Sequence, residues 1–237
     1  MTRPLLDRQL RLLEYLTSGG AIYRDGRNSP LDASLDGIER GLLDIEARFS
    51  HEKRMEKIAA VFSVTFRLLS GEKDAVIRAF VDACPPVDIS RIVNARQFYD
   101  FLLAHWERRP PPLPHLPDVA TCELAFAQAR TAADAARPAE PSPDMPRPAI
   151  RRDPGATLLC TSFDIRPVFE GNDVAPERRD ILLAIAAGGG DPQIFELPPE
   201  IYSLLEALEG WTAEGDLAGA EALLAELASA GLLELRR

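Results

Sequence analysis

Residues 192–235 constrain the fold of this chain more than any other stretch. A short apolar segment at 193–197 precedes two prolines, and the second proline suits the first turn of a helix, where its missing N–H leaves nothing unpaired. The spacing of apolar residues then predicts helices at 201–208 and 217–230, followed by a terminal strand at 232–235. Strand, helix, turn, helix and strand form the outline of a winged helix, a fold that binds either nucleic acid or a peptide.

The distribution of charge bears on that choice. The chain has a formal net charge of −10, and residues 138–237 hold 8 Lys and Arg against 18 Asp and Glu, whereas residues 1–137 are balanced at 19 of each. Duplex DNA is bound mainly through Lys and Arg that neutralise its phosphates. The helix predicted at 217–230 contains Glu221 and Glu226 and no basic residue. The predicted winged helix is therefore a poor candidate for DNA binding, and a peptide ligand is favoured.

The N-terminal half shows helical periodicity throughout. Helices are predicted at residues 5–16, 38–49, 55–69, 76–81, 94–106 and 117–129. A stretch at 138–148 holds five prolines in eleven residues, which is typical of a semi-rigid linker. We therefore expect an all-α domain over residues 1–137, then a linker at 138–148.

Beyond the linker the apolar period changes from that of a helix to that of a strand. Strands are predicted at residues 157–163, 166–169, 180–187 and 193–197. They would form one small antiparallel sheet packed on two or three helices. The expected fold class is thus mixed: an N-terminal all-α helical domain and, over residues 149–237, a C-terminal α+β winged-helix-like domain.

The residues able to carry chemistry do not form a recognisable site in the sequence. Three histidines lie far apart, with no helical partner spaced to share a metal: His51, His105 and His115. Three cysteines are also widely spaced and odd in number, which favours reduced thiols in a cytoplasmic protein: Cys84, Cys122 and Cys160. The sequence contains no run of 18 apolar residues, so no membrane span is predicted. We expect no catalytic residue and no metal site in this chain.

Several short motifs follow one another within residues 61–130, about 70 residues: Phe62, Thr65, Leu68, Leu69, Gly71, Pro85, Pro86, Phe98, Phe101, Leu102, Ala104, His105, Leu116, Pro117, Asp118, Ala120 and Glu123. In this order they resemble the HvfC-like family, and within it the TglI-type partner proteins of multinuclear non-heme iron oxidases. The chain departs from the family pattern with Ser63, where proline is usual, and with Ser70, inserted before the glycine. The first 50 residues match less well.

The C-terminal half resembles the PqqD-like domain that recognises precursor peptides in ribosomal peptide modification. In that domain the peptide adds a strand beside the third strand, in the groove against the last helix. Matching by order implies residues 193–197 as the third strand, 217–230 as the last helix, and a middle helix shortened to 211–216. The implied peptide-binding residues are Gln193, Ile194, Phe195, Glu196, Leu197, Leu223, Leu224 and Leu227.

The resemblance implies a division of labour between two proteins. This chain would be a non-catalytic partner that binds a ribosomal precursor peptide and presents its cysteine to a TglH-like multinuclear non-heme iron oxidase, in a pathway of the 3-thiaglutamate type. The iron would belong to the oxidase, with no cofactor in this chain and no binding to nucleic acid or membrane. Two alternatives remain open: a winged-helix transcription regulator with salt-sensitive DNA binding, and an independent enzyme with which a metal or cofactor would co-purify.

Overall fold

The computed structural model describes residues 3–23, 31–135, 149–171, 175–187, 190–213 and 220–236. The chain divides into two compact units, Met1–Pro112 and Leu113–Arg237. Helices and strands are both present, which confirms the mixed fold class. Among the helices described, none combines the length and the apolar character that crossing a membrane requires.

The described part of the first unit contains helices and no strand. Its elements are α1 (Arg3–Thr17), α2 (Gly19–Tyr23), α3 (Arg40–Ala59), α4 (Ser63–Leu69), α5 (Lys73–Ala83) and α6 (Arg91–Arg108), with single 3-10 turns at Ala33–Leu35 and Ser70–Glu72. Helix α3 contacts α1, α2 and α6. The Phe98 ring is fully buried and contacts four other rings at centroid distances of 5.0 to 6.4 Å: Phe62, Phe66, Phe80 and Phe101. The aromatic periodicity of α4, α5 and α6 therefore builds the core of this unit.

The bounds of α3 differ from those predicted from the sequence. Helices were predicted at 38–49 and 55–69 with a break at Ser50, but α3 continues through Ser50 to Ala59 and the chain breaks before α4. Serine disfavours a helix interior when its hydroxyl competes for backbone groups. Here the Ser50 hydroxyl donates to the Glu46 carboxylate at 3.2 Å, one turn earlier, so that competition is absent.

The second unit combines helices with two antiparallel sheets of three strands. Its elements are α7 (Leu116–Ala135), β1 (Ala149–Arg152), β2 (Thr157–Phe163), α8 (Arg166–Phe169), β3 (Arg178–Ala186), β4 (Gln193–Glu196), α9 (Pro199–Ala207), β5 (Thr212–Ala213), α10 (Glu221–Ser229) and β6 (Leu233–Arg236). The strand orders are β2-β3-β4 and β5-β1-β6. A single sheet was expected, and this was wrong because β6 pairs with β1, a four-residue strand too short to stand out in the sequence.

Two further local predictions differ from the structure. The strand predicted at 166–169 is the helical turn α8, since Pro167 fits a first helical turn and has no N–H to give to a sheet. The middle helix predicted at 211–216 is not formed at Thr212–Ala213, which pair with β1 as β5. Residues 214–216 lie outside the described part of the chain.

Helix α7 was placed in the first domain by the sequence interpretation, but it lies in the second unit. It contacts β2 and β3, and the units divide between residues 112 and 113. The predicted linker at 138–148 lies outside the described residues. Contacts with the sheet, which periodicity along the chain does not encode, determine where α7 belongs.

The sheet β2-β3-β4 is covered on both faces. One face adds Ala184 and Ala186 to an apolar cluster built with α9 and α10. On the other face Leu183 and Ile185 are also fully buried, because neighbouring strand residues point to opposite sides. Helix α7 contacts this sheet without contributing to the cluster, so we assign it to the second face.

Candidate functional site

Strand β4 lies at the edge of its sheet. It pairs with β3 on one side, and in the part of the chain that the structure describes no strand pairs with its other side. An edge strand presents unpaired N–H and C=O groups that can pair with another chain. The strand that the PqqD-like resemblance implies for peptide binding is therefore one to which a further strand can be added.

The register identifies which backbone groups of β4 point outward. The N–H of Leu197 donates to the carbonyl oxygen of Leu182 at 2.8 Å, so these two residues form a hydrogen-bonded pair. In an antiparallel ladder such pairs alternate with pairs whose N–H and C=O groups point away from the partner strand. The groups that point away from β3 consequently belong to Ile194 and Glu196, two donors and two acceptors spaced as an incoming strand requires.

The side chains of β4 divide between the two faces of the sheet. Phe195 lies beside Ala184 and packs on the apolar cluster with α9 and α10. The half-buried Ile194 lies beside Ile185 and therefore points to the opposite face. Because neighbouring strand residues point to opposite faces, only one of Ile194 and Phe195 can face the cluster, and the register selects Phe195.

The remaining predicted site residues divide by exposure. Gln193 and Glu196 are exposed, at the two ends of β4. Leu197, Leu224 and Leu227 belong to the buried cluster, with exposed fractions of 7%, 1% and 7%.

Leu223 is partly buried against the same cluster. The helix residues proposed for the groove thus contribute mainly to the core. A substitution at Leu224 is therefore expected to affect folding, so its effect on binding can be interpreted only for a folded variant. That any of these residues contacts a peptide stays a prediction.

A four-residue ion network lies at the C-terminal end of β4. Arg166 pairs with Glu196 at 2.7 Å and with Asp164 at 2.6 Å, while Arg179 pairs with the same two carboxylates at 3.3 and 3.2 Å. Hydrogen bonding to Arg166 lowers the pKa of Asp164 below its usual value, and the same bond raises the pKa of Arg166. The network holds the Glu196 side chain, which lies on the same face of the sheet as that of Ile194.

The histidines and Asp118 have structural environments. His115 is buried with its ring 6.0 Å from that of Phe163, and Asp118 accepts the backbone N–H groups of Ser162 and Phe163 at 2.9 and 3.1 Å. Burial lowers the pKa of His115, which favours the neutral ring. Asp118 thus caps the irregular end of β2, where the register shifts between Thr161 and Phe163.

The described residues contain no group of three or more His, Cys, Asp or Glu side chains arranged to hold a metal ion. In the first unit, the His105 ring stacks on Phe101 at 5.4 Å, and burial lowers the pKa of His51 and of His105. These histidines lie in packed surroundings and do not converge on a common point.

The cysteines differ in accessibility. Cys160 is exposed on β2, Cys84 is half-buried, and Cys122 is buried in α7. Burial raises the pKa of Cys84 and of Cys122, which disfavours their thiolate forms. Neither has the lowered pKa that a nucleophilic cysteine requires.

Comparison of the sequence with models of known protein families and with curated proteins gives no match.

Sequence reasoning missed two features of this edge. The ion network joins residues from a turn, from β3 and from β4, and the short basic pair at Arg178 and Arg179 was its only visible signal. The outward position of the Ile194 and Glu196 amides follows from the β3–β4 register, which the sequence does not specify. Both depend on contacts between separate segments of chain.

Proposed function

We propose that this chain binds a ribosomally made precursor peptide by adding it as a strand to the open edge of β4. The observation that carries the proposal is the edge position of β4, with two residues whose backbone groups point away from β3. Strand addition derives its affinity from main-chain hydrogen bonds and its selectivity from alternate side chains. The PqqD-like resemblance implies the same strand, the third of its sheet.

The charge of the second unit supports a peptide over nucleic acid. Residues 113–237 contain 10 Lys and Arg against 21 Asp and Glu. Arg166 and Arg179 are engaged with Asp164 and Glu196, so they are not free to meet phosphates. A winged-helix regulator of transcription would need a surface that neutralises several phosphates. The observed charges disfavour that alternative.

The first unit has a surface suited to a protein partner. Helices α1 and α3 contact each other, and each carries apolar side chains with about half of their surface exposed, at a spacing that places them on one face of their helix: Leu6 and Leu10 on α1, and Leu42, Ile45 and Phe49 on α3. Exposed apolar patches commonly mark interaction sites. We therefore propose that this chain is a non-catalytic partner of a TglH-like multinuclear non-heme iron oxidase, which would hold the iron and act on a cysteine of the bound peptide.

The test is fluorescence anisotropy of the purified chain with two labelled ligands: the peptide encoded beside its gene and a random DNA duplex. Each is measured at low and moderate salt, with and without the oxidase. We expect peptide binding that survives salt. Duplex binding alone, abolished by salt, would instead support the regulator. Stoichiometric iron on the isolated chain, measured by elemental analysis, would support an independent enzyme.

A backbone scan of the peptide tests the mode of binding. Peptides methylated at one backbone nitrogen each lose one N–H donor while keeping the side chain. In a strand pairing, only every second residue directs its N–H to the partner. We expect affinity to fall at alternate positions over the paired segment, whereas a loss without this two-residue period would contradict strand addition.

A further inference from the structure

The first unit contains a cavity of about 320 Å³ that the proposed function does not use. It lies among α1, α2, α3 and α5 and the loop before α6, and its volume is at the lower end of those that hold small molecules. Its apolar lining includes Ile22 and Val81, both buried, and Leu13, which is 54% exposed at the surface of α1. The cavity thus has an apolar interior and reaches the surface.

Three cations of α3 also line this cavity. They are Lys53, Arg54 and Lys57, and among the described lining residues the carboxylate that opposes them is that of Asp88. Asp88 accepts the backbone N–H of Ser90 at 2.6 Å, a bond within its own loop. The lining therefore has an excess of positive charge beside its apolar part.

Arg54 is held by neutral groups. Its guanidinium donates to the side-chain oxygens of Asn94 and Gln97 at 2.9 and 2.7 Å and to the carbonyl oxygen of Cys84 at 2.8 Å. Within the described ranges no carboxylate forms an ion pair with it. Burial lowers its pKa to about 10, because it partly desolvates the cation. Three of its five N–H donors are engaged, and two remain.

The other two cations differ in how they are held. The Lys57 ammonium donates to the Ile89 carbonyl oxygen at 2.6 Å. The Lys53 ammonium lies 4.1 Å from the centre of the Phe49 ring, and its residue is exposed. A ring face attracts a cation weakly and leaves its donors available.

We propose that this cavity binds a small organic carboxylate, with its apolar chain among Leu13, Ile22 and Val81 and its carboxylate at Arg54 and Lys53. A carboxylate is a strong acceptor for the remaining guanidinium N–H groups. Three cations against the Asp88 carboxylate leave an excess of positive charge in the described lining, so the lining can accept a carboxylate without becoming negatively charged. The carboxylate can come from a free acid or from the C-terminus of an apolar peptide, and the proposal is independent of strand addition at β4.

The test is isothermal titration calorimetry of the full chain with octanoate, octanol and acetate. We expect octanoate to bind at least tenfold more tightly than octanol or acetate, because only octanoate engages both the apolar lining and the cations. Acetyl-trileucine with a free carboxylate, compared with its amide, tests the peptide source. Equal binding of octanoate and octanol, or no binding of any carboxylate at millimolar concentration, would overturn the proposal.

A pair of matched variants locates the site. Leu13→Glu places a negative charge at the cavity, whereas Leu5→Glu places one at another exposed position of α1 outside the lining, with 62% of Leu5 exposed against 54% of Leu13. We expect Leu13→Glu to weaken octanoate binding at least tenfold and Leu5→Glu to leave it unchanged. Equal effects of the two variants would refute the location.

A second pair of variants tests the cationic group. Lys53→Gln removes the exposed ammonium and should weaken octanoate binding by about threefold, as expected for a solvent-exposed charge. The control is Lys73→Gln, since Lys73 also lies over a phenylalanine ring but outside this cavity. Unchanged affinity in Lys53→Gln would remove Lys53 from the site.

Discussion

The outward N–H of Ile194 gives the sharpest test of strand addition. Proline at 194 removes that donor without removing a bond to β3, because the Ile194 backbone groups point away from β3. Proline is tolerated on an edge strand when its N–H faces outward. We therefore expect Ile194→Pro to fold and to bind the precursor peptide more weakly.

The magnitude follows from one lost hydrogen bond. A net contribution of about 1 kcal/mol corresponds to about a fivefold rise in Kd. The proline ring also occupies the space through which the incoming strand would approach, so fivefold is the lower bound. The outward groups of Glu196 remain, and residual binding is expected.

The control is Ile194→Ala, which loses the half-buried side chain but keeps the N–H. Peptide Kd is measured by fluorescence anisotropy for both variants, after thermal melts show that both are folded. The ratio of the two Kd values reports the backbone contribution. If the proline variant binds as tightly as the alanine variant, the peptide does not pair with β4 at this residue, and the reasoning is refuted.

Three other perturbations have clear expected outcomes. Ser70 has a φ of 47°, so Ser70→Gly should raise the free energy of unfolding by about 1 kcal/mol in denaturant melts; an unchanged value would mean that Ser70 is unstrained. Leu224 is 1% exposed, and Leu224→Ala should lower that free energy by about 2–5 kcal/mol; a loss below about 1 kcal/mol would contradict its place in the core. Because the pKa of Asp164 is lowered on folding, its ionised form stabilises the protein above about pH 4 and that contribution is lost as the pH falls through the lowered value. Melts from pH 6 to pH 2 should show a smaller acid-induced loss in Asp164→Asn than in the unaltered chain, and equal losses would exclude this linkage.

Much of the secondary structure could be predicted from the sequence, because helices and strands depend largely on the spacing and type of residues near one another in the chain. Apolar spacing located most of α1, α5, α6 and α7, and alternation with turn residues located β2, β3 and β4. Proline at the first turn located α9. Predictions were wrong where a local signal was ambiguous, as at Ser50 and in the segment 166–169.

The candidate site was only partly accessible from the sequence. Residues 193–197 were identified by order, but nothing local told a core residue from a groove residue on α10. Leu224 and Leu227 are buried because α9, β3 and β6 supply neighbours in the same cluster. The side of the sheet that Phe195 faces likewise follows from its pairing with Ala184.

The sequence by itself determined the mixed fold class, the acidic character of the second unit and the position of β4 along the chain, since each depends on composition or on short periodicity. The tertiary structure decided that α7 belongs with the second unit, that β1 and β6 form a separate sheet and that β4 is an edge strand among the described strands. It also brought Arg54 to Asn94 and Gln97 beside the cavity of the first unit. These features depend on pairing between distant segments, which is selected by the burial of the whole core and not by the residues adjacent in sequence.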